Sequence, residues 1–134
     1  MASATSIRIV CKGLSAHCGN RERGNDAMMT MCEILVRTKE AEALAEGDGS
    51  ILFFGKLCAG TGHNIVASEA VMEGTLRTYC PATREKMLAK LESIVAEVAS
   101  AYGTKAEVTY SAYAPSVINP QTFPRPDLDL PKIF

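Results

Sequence analysis

Apolar and polar positions change period several times along the chain, and each change marks an element. From Ser6 to Lys12 the alternation sets Ile7, Ile9 and Cys11 on one face and Arg8, Val10 and Lys12 on the other, which predicts a half-buried strand. Residues 13–25 carry Gly13, Gly19, Asn20, Gly24 and Asn25 among charges and read as a loop, of a length that often carries function. Asp26 suits the N-cap of a helix running to about Ala45, with Met28, Met31, Cys32 and Leu35 at helical spacing as its core stripe and Gly47 as its terminator. Ile51 to Cys58 is apolar at nearly every position and predicts a second strand. After the glycine-rich turn Ala59-Gly60-Thr61-Gly62-His63-Asn64, a third strand is expected from Ile65 to Tyr79. On it Ala70, Met72 and Leu76 share one face, and Glu69, Glu73 and Arg77 share the other.

Pro81 suits the first turn of a second helix, whose stripe of Met87, Leu88, Leu91, Ile94, Val95, Val98 and Tyr102 ends at Gly103. A fourth strand follows, with Ala106, Val108 and Tyr110 facing one way and Lys105, Glu107, Thr109 and Ser111 the other. The order β-α-β-β-α-β predicts an α+β, ferredoxin-like fold: a four-stranded antiparallel sheet in the order 4-1-3-2, with both helices on one face. The second strand then lies at an edge carrying Ile51, Leu52, Phe53 and Phe54, with only Lys56 to discourage pairing. This predicts a homodimer through that edge and the first helix. Beyond Tyr113 the composition shifts, since Pro115, Pro120, Pro124, Pro126 and Pro131 are five of the six prolines. The expected organisation is one domain over residues 6–119 and a Pro-rich tail or linker over 120–134.

Composition narrows the function. A length of 134 residues, 47% hydrophobic and 22% charged, fits one domain. With 14 Lys+Arg against 15 Asp+Glu, no basic field exists to attract nucleic acid or an anionic membrane. The apolar runs are strand-sized, so neither a membrane span nor a signal peptide is expected. Five cysteines, an odd number without a C-x-x-C pair and several at positions that read as buried, predict reduced thiols and a cytoplasmic setting. Two histidines, His17 and His63, and no ligand spacing predict no metal site in this chain.

Three groups remain as candidates for chemistry. The loop Gly13-Leu14-Ser15-Ala16-His17-Cys18-Gly19-Asn20 offers His17 as a proton carrier or electrophile, or equally as a solvated loop residue. A Cys18–His17 nucleophile is disfavoured, because adjacent residues rarely point at each other productively. Gly60-Thr61-Gly62-His63-Asn64 either closes a hairpin or binds an anion or amide through its backbone N–H groups. Arg77, in mid-strand on the face away from the helices and flanked by Thr75 and Tyr79, is either a solvated cation or a bidentate clamp for a carboxylate.

The same residues resemble the dimerisation, or lid, domain of the zinc-dependent aminoacylase, glutamate carboxypeptidase and hippurate hydrolase family of metallopeptidases. That family's K-G-x-x-x-H-A-G-N-P-E-x-G-x-N-A pattern is closely matched by Lys12 to Ala27, with Cys18 and Arg21 among the departures. Gly60 to Ala67 resembles G-T-x-x-N-V-I-P with Ala67 in place of proline, and Glu73 to Thr78 resembles E-G-T-x-R-T. Residues 81–119 are most similar to the branch acting on N-acyl amino acids. The resemblance implies that His17 reaches into the partner subunit's active site to hydrogen-bond the developing oxyanion, and that Asn64 and Arg77 hold the substrate. It also implies a zinc or other divalent metal pair in a separate catalytic domain that this chain lacks, so that alone it is not expected to hydrolyse an N-acyl amino acid or peptide. The rival expectations are a stand-alone ligand-binding or regulatory dimer and, third, an acylphosphatase-type hydrolase. The last is disfavoured because Gly13 to Asn20 contains no arginine.

Overall fold

The computed structural model describes residues 3–45, 47 and 49–112. Four strands, β1 (Ser3–Lys12), β2 (Ile51–Ala59), β3 (Glu69–Thr78) and β4 (Lys105–Ala112), alternate with α1 (Ala27–Glu42) and α2 (Pro81–Tyr102) in the predicted order. The sheet runs β2-β3-β1-β4 and every pairing is antiparallel, which is the predicted ferredoxin-like topology. β1 is central: Ile7 stands between Gly74 and Tyr110, and Ile9 between Met72 and Val108.

One sheet face and both helices enclose the core. Ile7, Ile9 and Cys11 meet Met72 and Leu76, and against them lie Met31 and Ile34 of α1 and Met87, Leu91, Ile94 and Val98 of α2, all buried. Gly74 has a steric reason. A side chain there would run into the Phe53 carbonyl and the Phe54 ring, beside the irregularity that interrupts β2 between Phe54 and Lys56.

Four expectations are corrected. The buried stripe of α1 is Ala27, Thr30, Met31, Ile34, Thr38 and Ala41, whereas Met28 and Cys32 are exposed. Threonine reads as polar in a hydrophobicity pattern, yet the Thr30 hydroxyl is satisfied by the Asp26 carbonyl at 2.8 Å and by Thr104 at 3.1 Å, so it enters the core without penalty. Asp26 caps α1 as expected, accepting from Met28 and Met29 N–H, but the α-helix ends at Glu42 and a 3-10 turn covers Ala43–Ala45. The third strand begins at Glu69, because the backbone of the preceding residues pairs with another loop. Of the cysteines only Cys11 is buried; Cys18, Cys32, Cys58 and Cys80 are exposed. The Pro-rich tail lies outside the described residues.

Ile94 is fully buried, so Ile94→Ala should cost about 2–5 kcal/mol through lost burial and the cavity left behind, read as a lower urea midpoint. Tyr110 donates to Glu92 at 2.5 Å, tying β4 to α2. Burial first, then that bond, raise its phenol above the ordinary tyrosine value. A folded-state value above the unfolded one means the stabilisation is complete below about pH 10 and is lost as pH rises through the folded value. Tyr110→Phe should therefore flatten the alkaline limb of the stability profile.

Candidate functional site

The chain leaves β1 through Gly13, whose N–H donates to the Ser68 carbonyl at 2.8 Å. A side chain at this position would collide with the Asn25 carbonyl. The glycine therefore permits the close pairing that follows, in which Leu14 N–H donates to Asn25 at 2.9 Å and Asn25 N–H returns to Leu14 at 2.8 Å. Asn25 is fixed in turn by its side chain, which donates to the Tyr102 carbonyl at 3.2 Å. The predicted loop is thus tied down at both ends, and a short 3-10 helix over Cys18–Arg23 fills its middle.

Between those anchors the loop meets the chain leaving the β2–β3 hairpin. Val66 N–H donates to the Ala16 carbonyl at 2.7 Å and Cys18 N–H to the Asn64 carbonyl at 2.9 Å, with His17 directly opposite Ile65. Two candidates distant in sequence, His17 and Asn64, become neighbours this way, and both are exposed. The His17 ring is oriented locally: Nδ1 accepts from Gly19 N–H at 3.1 Å, and Cys18 Sγ lies 3.9 Å from the same nitrogen. The glycine-rich segment closes a turn, with Ile65 N–H bonded to the Gly62 carbonyl at 3.4 Å.

Arg77 sits elsewhere. It pairs with Ala4 on one side and Ile51 on the other, at the end of β3 remote from His17 and Asn64. The eight steps of strand from Glu69 to Arg77 span about 26 Å at ~3.3 Å per step. One copy of the chain does not bring the three candidates to a single small ligand. Arg77 is exposed, and the ion pairs of its sheet face join other residues: Glu73 holds Arg8 at 4.0 Å and Lys56 at 3.5 Å, and Glu69 holds Lys12 at 2.9 Å. The Arg77 guanidinium has no carboxylate partner among the described residues.

The predicted dimer residues divide by face. Leu52 and Phe54 turn into the core, whereas Ile51 and Phe53 are 43% and 61% exposed. Phe53 shares a groove with Leu35, Val36, Lys39 and Glu42 of α1, and Val36 is 69% exposed. Glu42 also accepts the Leu52 N–H at 3.0 Å. Strand edge and helix flank therefore form one surface.

A family model described as the peptidase dimerisation domain matches residues 2–103. The chain belongs to this family. N-acetylcysteine deacetylase of Bacillus subtilis is 28% identical over 125 residues, 92% of this chain and 33% of that protein. N-acetyldiaminopimelate deacetylase of a Geobacillus species is 27% identical over 120 residues, 88% of this chain and 32% of that protein. The chain spans about a third of the length of these curated relatives. Among solved structures, a dinuclear metal-binding peptidase of the M20 family from Bacillus subtilis superposes with a TM-score of 0.64 at 24% identity, covering 86% of this chain and 27% of that one. An aminohydrolase from methicillin-resistant Staphylococcus aureus does so with 0.78 at 15% identity, covering 85% and 30%. Both likenesses concern the fold.

The described residues of this dimerisation domain contain no group of three or more His, Cys, Asp or Glu placed to hold a metal ion. They do not fit a resident metal pair, and what the site offers is hydrogen bonding and charge. No described helix is long and apolar enough to cross a membrane. Sequence patterning missed Ile65 and Val66 as partners of the His17 loop, because their apolar side chains continue the expected strand. It placed Gly19 in the candidate loop without a role of its own.

Gly13→Ala should displace the Leu14–Asn25 pairing while leaving the sheet intact. Amide hydrogen exchange would show faster exchange at Leu14, Asn25 and Cys18 with unchanged protection in β1 and β3.

Proposed function

We propose that this dimerisation domain is the substrate-positioning lid of a metal-dependent amidohydrolase that cleaves N-acyl amino acids or similar amides. In this reading it dimerises through the β2 edge and α1, and a separate catalytic domain supplies the metal pair. The observation that carries the reading is the placement of His17 and Asn64 at one end of the sheet and Arg77 at the other.

Two copies related by a two-fold axis pair an edge strand antiparallel to itself. The Ile51 end of one β2 then lies beside the Ala59 end of the other. Arg77 is the β3 neighbour of Ile51, and the chain after Ala59 leads to Asn64 and, through the backbone ladder, to His17. Dimerisation in this manner assembles a composite site from Arg77 of one copy and His17 and Asn64 of its partner.

The chemistry suits hydrolysis of an acylated amino acid. An unpaired guanidinium recognises a carboxylate bidentately, and fixed hydrogen-bond donors favour the charge that develops on the carbonyl oxygen. The similarity to the two deacetylases supports an N-acyl substrate class. Exposed apolar side chains at Ile51, Phe53 and Val36 support the dimer, since such a surface on a strand edge is an aggregation hazard when uncovered.

Light scattering at micromolar concentration should give a dimer, and Phe53→Glu should give a folded monomer; a wild-type monomer would overturn the proposed assembly. In the full-length hydrolase, mixed dimers of His17→Ala with a subunit inactivated in its catalytic domain should recover activity. Inert mixed dimers would sink contribution across the interface. Arg77→Ala in the same protein should raise KM by about 10–100-fold, the loss of a charge-assisted hydrogen-bond pair.

A further inference from the structure

The lid reading gives His17 the task of donating a hydrogen bond, and a neutral imidazole donates from only one of its two nitrogens. Which nitrogen carries the proton is decided by what the other one meets. Gly19 N–H approaches His17 Nδ1 at 3.1 Å, and a backbone amide is only ever a donor. A proton on Nδ1 would set two donors against each other across that distance, whereas an unprotonated Nδ1 accepts the bond. The Cys18 thiol, 3.9 Å from the same nitrogen, is a weak donor that adds to the same bias.

We propose that the main-chain N–H of Gly19 is a positioning group that fixes the tautomer of His17, keeping the proton on Nε2 so that the exposed side of the ring presents a donor. The purpose of this device rests on the lid reading; its chemistry does not. The arrangement sacrifices no other bond. Gly19 lies in the first turn of the 3-10 helix over Cys18–Arg23, where amides have no acceptor within the helix, and the His17 side chain serves as that helix's N-cap. The alternative of Cys18 and His17 as a nucleophile and base is weakened by the same geometry, because the nitrogen nearest the thiol is already engaged by Gly19.

The chain supplies its own reference. His63, the second of its two histidines, is exposed on the hairpin turn. The test is nitrogen NMR of the uniformly 15N-labelled chain at about pH 9, well above the reference imidazole pKa. His17 should show a pyridine-type Nδ1, a pyrrole-type Nε2 and a preference for the Nε2–H form about fivefold stronger than that of His63, which is what one net hydrogen bond supports. A coupling across the hydrogen bond from the Gly19 amide to His17 Nδ1 should be detectable in the unmodified chain. Gly19→Ala keeps the amide, and its added methyl would lie 3.4 Å from Nδ1 in ordinary contact, so it should leave the spectrum as it is. Gly19→Pro removes the donor and should return His17 to the ratio of His63. Equal ratios for the two histidines in the unmodified chain, or an absent coupling, would overturn the assignment without any variant having to fold. A failure of the lid reading would show instead as a monomer or as inert mixed dimers, with the nitrogen spectrum unchanged.

Discussion

Two backbone hydrogen bonds hold together the end of this domain that carries His17 and Asn64: Val66 N–H to the Ala16 carbonyl and Cys18 N–H to the Asn64 carbonyl. They join the exit of β1 to the exit of the β2–β3 hairpin, and every other feature of that end follows from the join. His17 and Asn64 become neighbours, Ile65 is drawn out of the strand it would otherwise extend, and the loop after Gly13 acquires a defined path. The glycine matters because only a residue without Cβ lets the Asn25 carbonyl close on the chain there. Bonds of this kind contribute only about 0.5–1.5 kcal/mol each, but the alternative is unpaired main-chain groups in partly buried loops.

The sheet assigns its surfaces different work. The helix side is a continuous apolar core and supplies stability. The opposite face carries charges that neutralise one another, Arg8 and Lys56 on Glu73 and Lys12 on Glu69. Exposed pairs of this kind add little to stability, and Arg77 lies outside the network they form. The β2 edge is the third surface. Its alternation buries Leu52 and Phe54 and exposes Ile51 and Phe53, so one strand both completes the core and carries an exposed apolar rim.

Much of the fold was legible because it rests on periodicity. The α2 stripe from Met87 to Tyr102 and the alternation of β1 and β4 each have one satisfactory burial, and the structure adopts it. The misplaced features share a cause: hydrophobicity alone does not reveal where a polar group finds its partner. Thr30 is buried because its hydroxyl donates to the Asp26 carbonyl and pairs with the Thr104 hydroxyl, and Met28 and Cys32, apolar by type, lie on the outside. Ile65 and Val66 are β-branched and apolar like strand residues, but Val66 N–H and the Asn64 carbonyl on either side of Ile65 bond to a loop that no local pattern connects with them.

The sequence by itself determined the element order, the core-facing stripes of β1 and α2 and, through glycine, histidine, asparagine and arginine in separated motifs, the residues with chemistry to offer. Those are properties of local spacing and of side-chain type. Tertiary structure alone decided how the candidates are distributed: His17 beside Asn64 at one end, Arg77 some eight strand residues away at the other. That distribution depends on antiparallel register and on two hydrogen bonds between loops, interactions among groups far apart in the chain that are set only when the sheet closes.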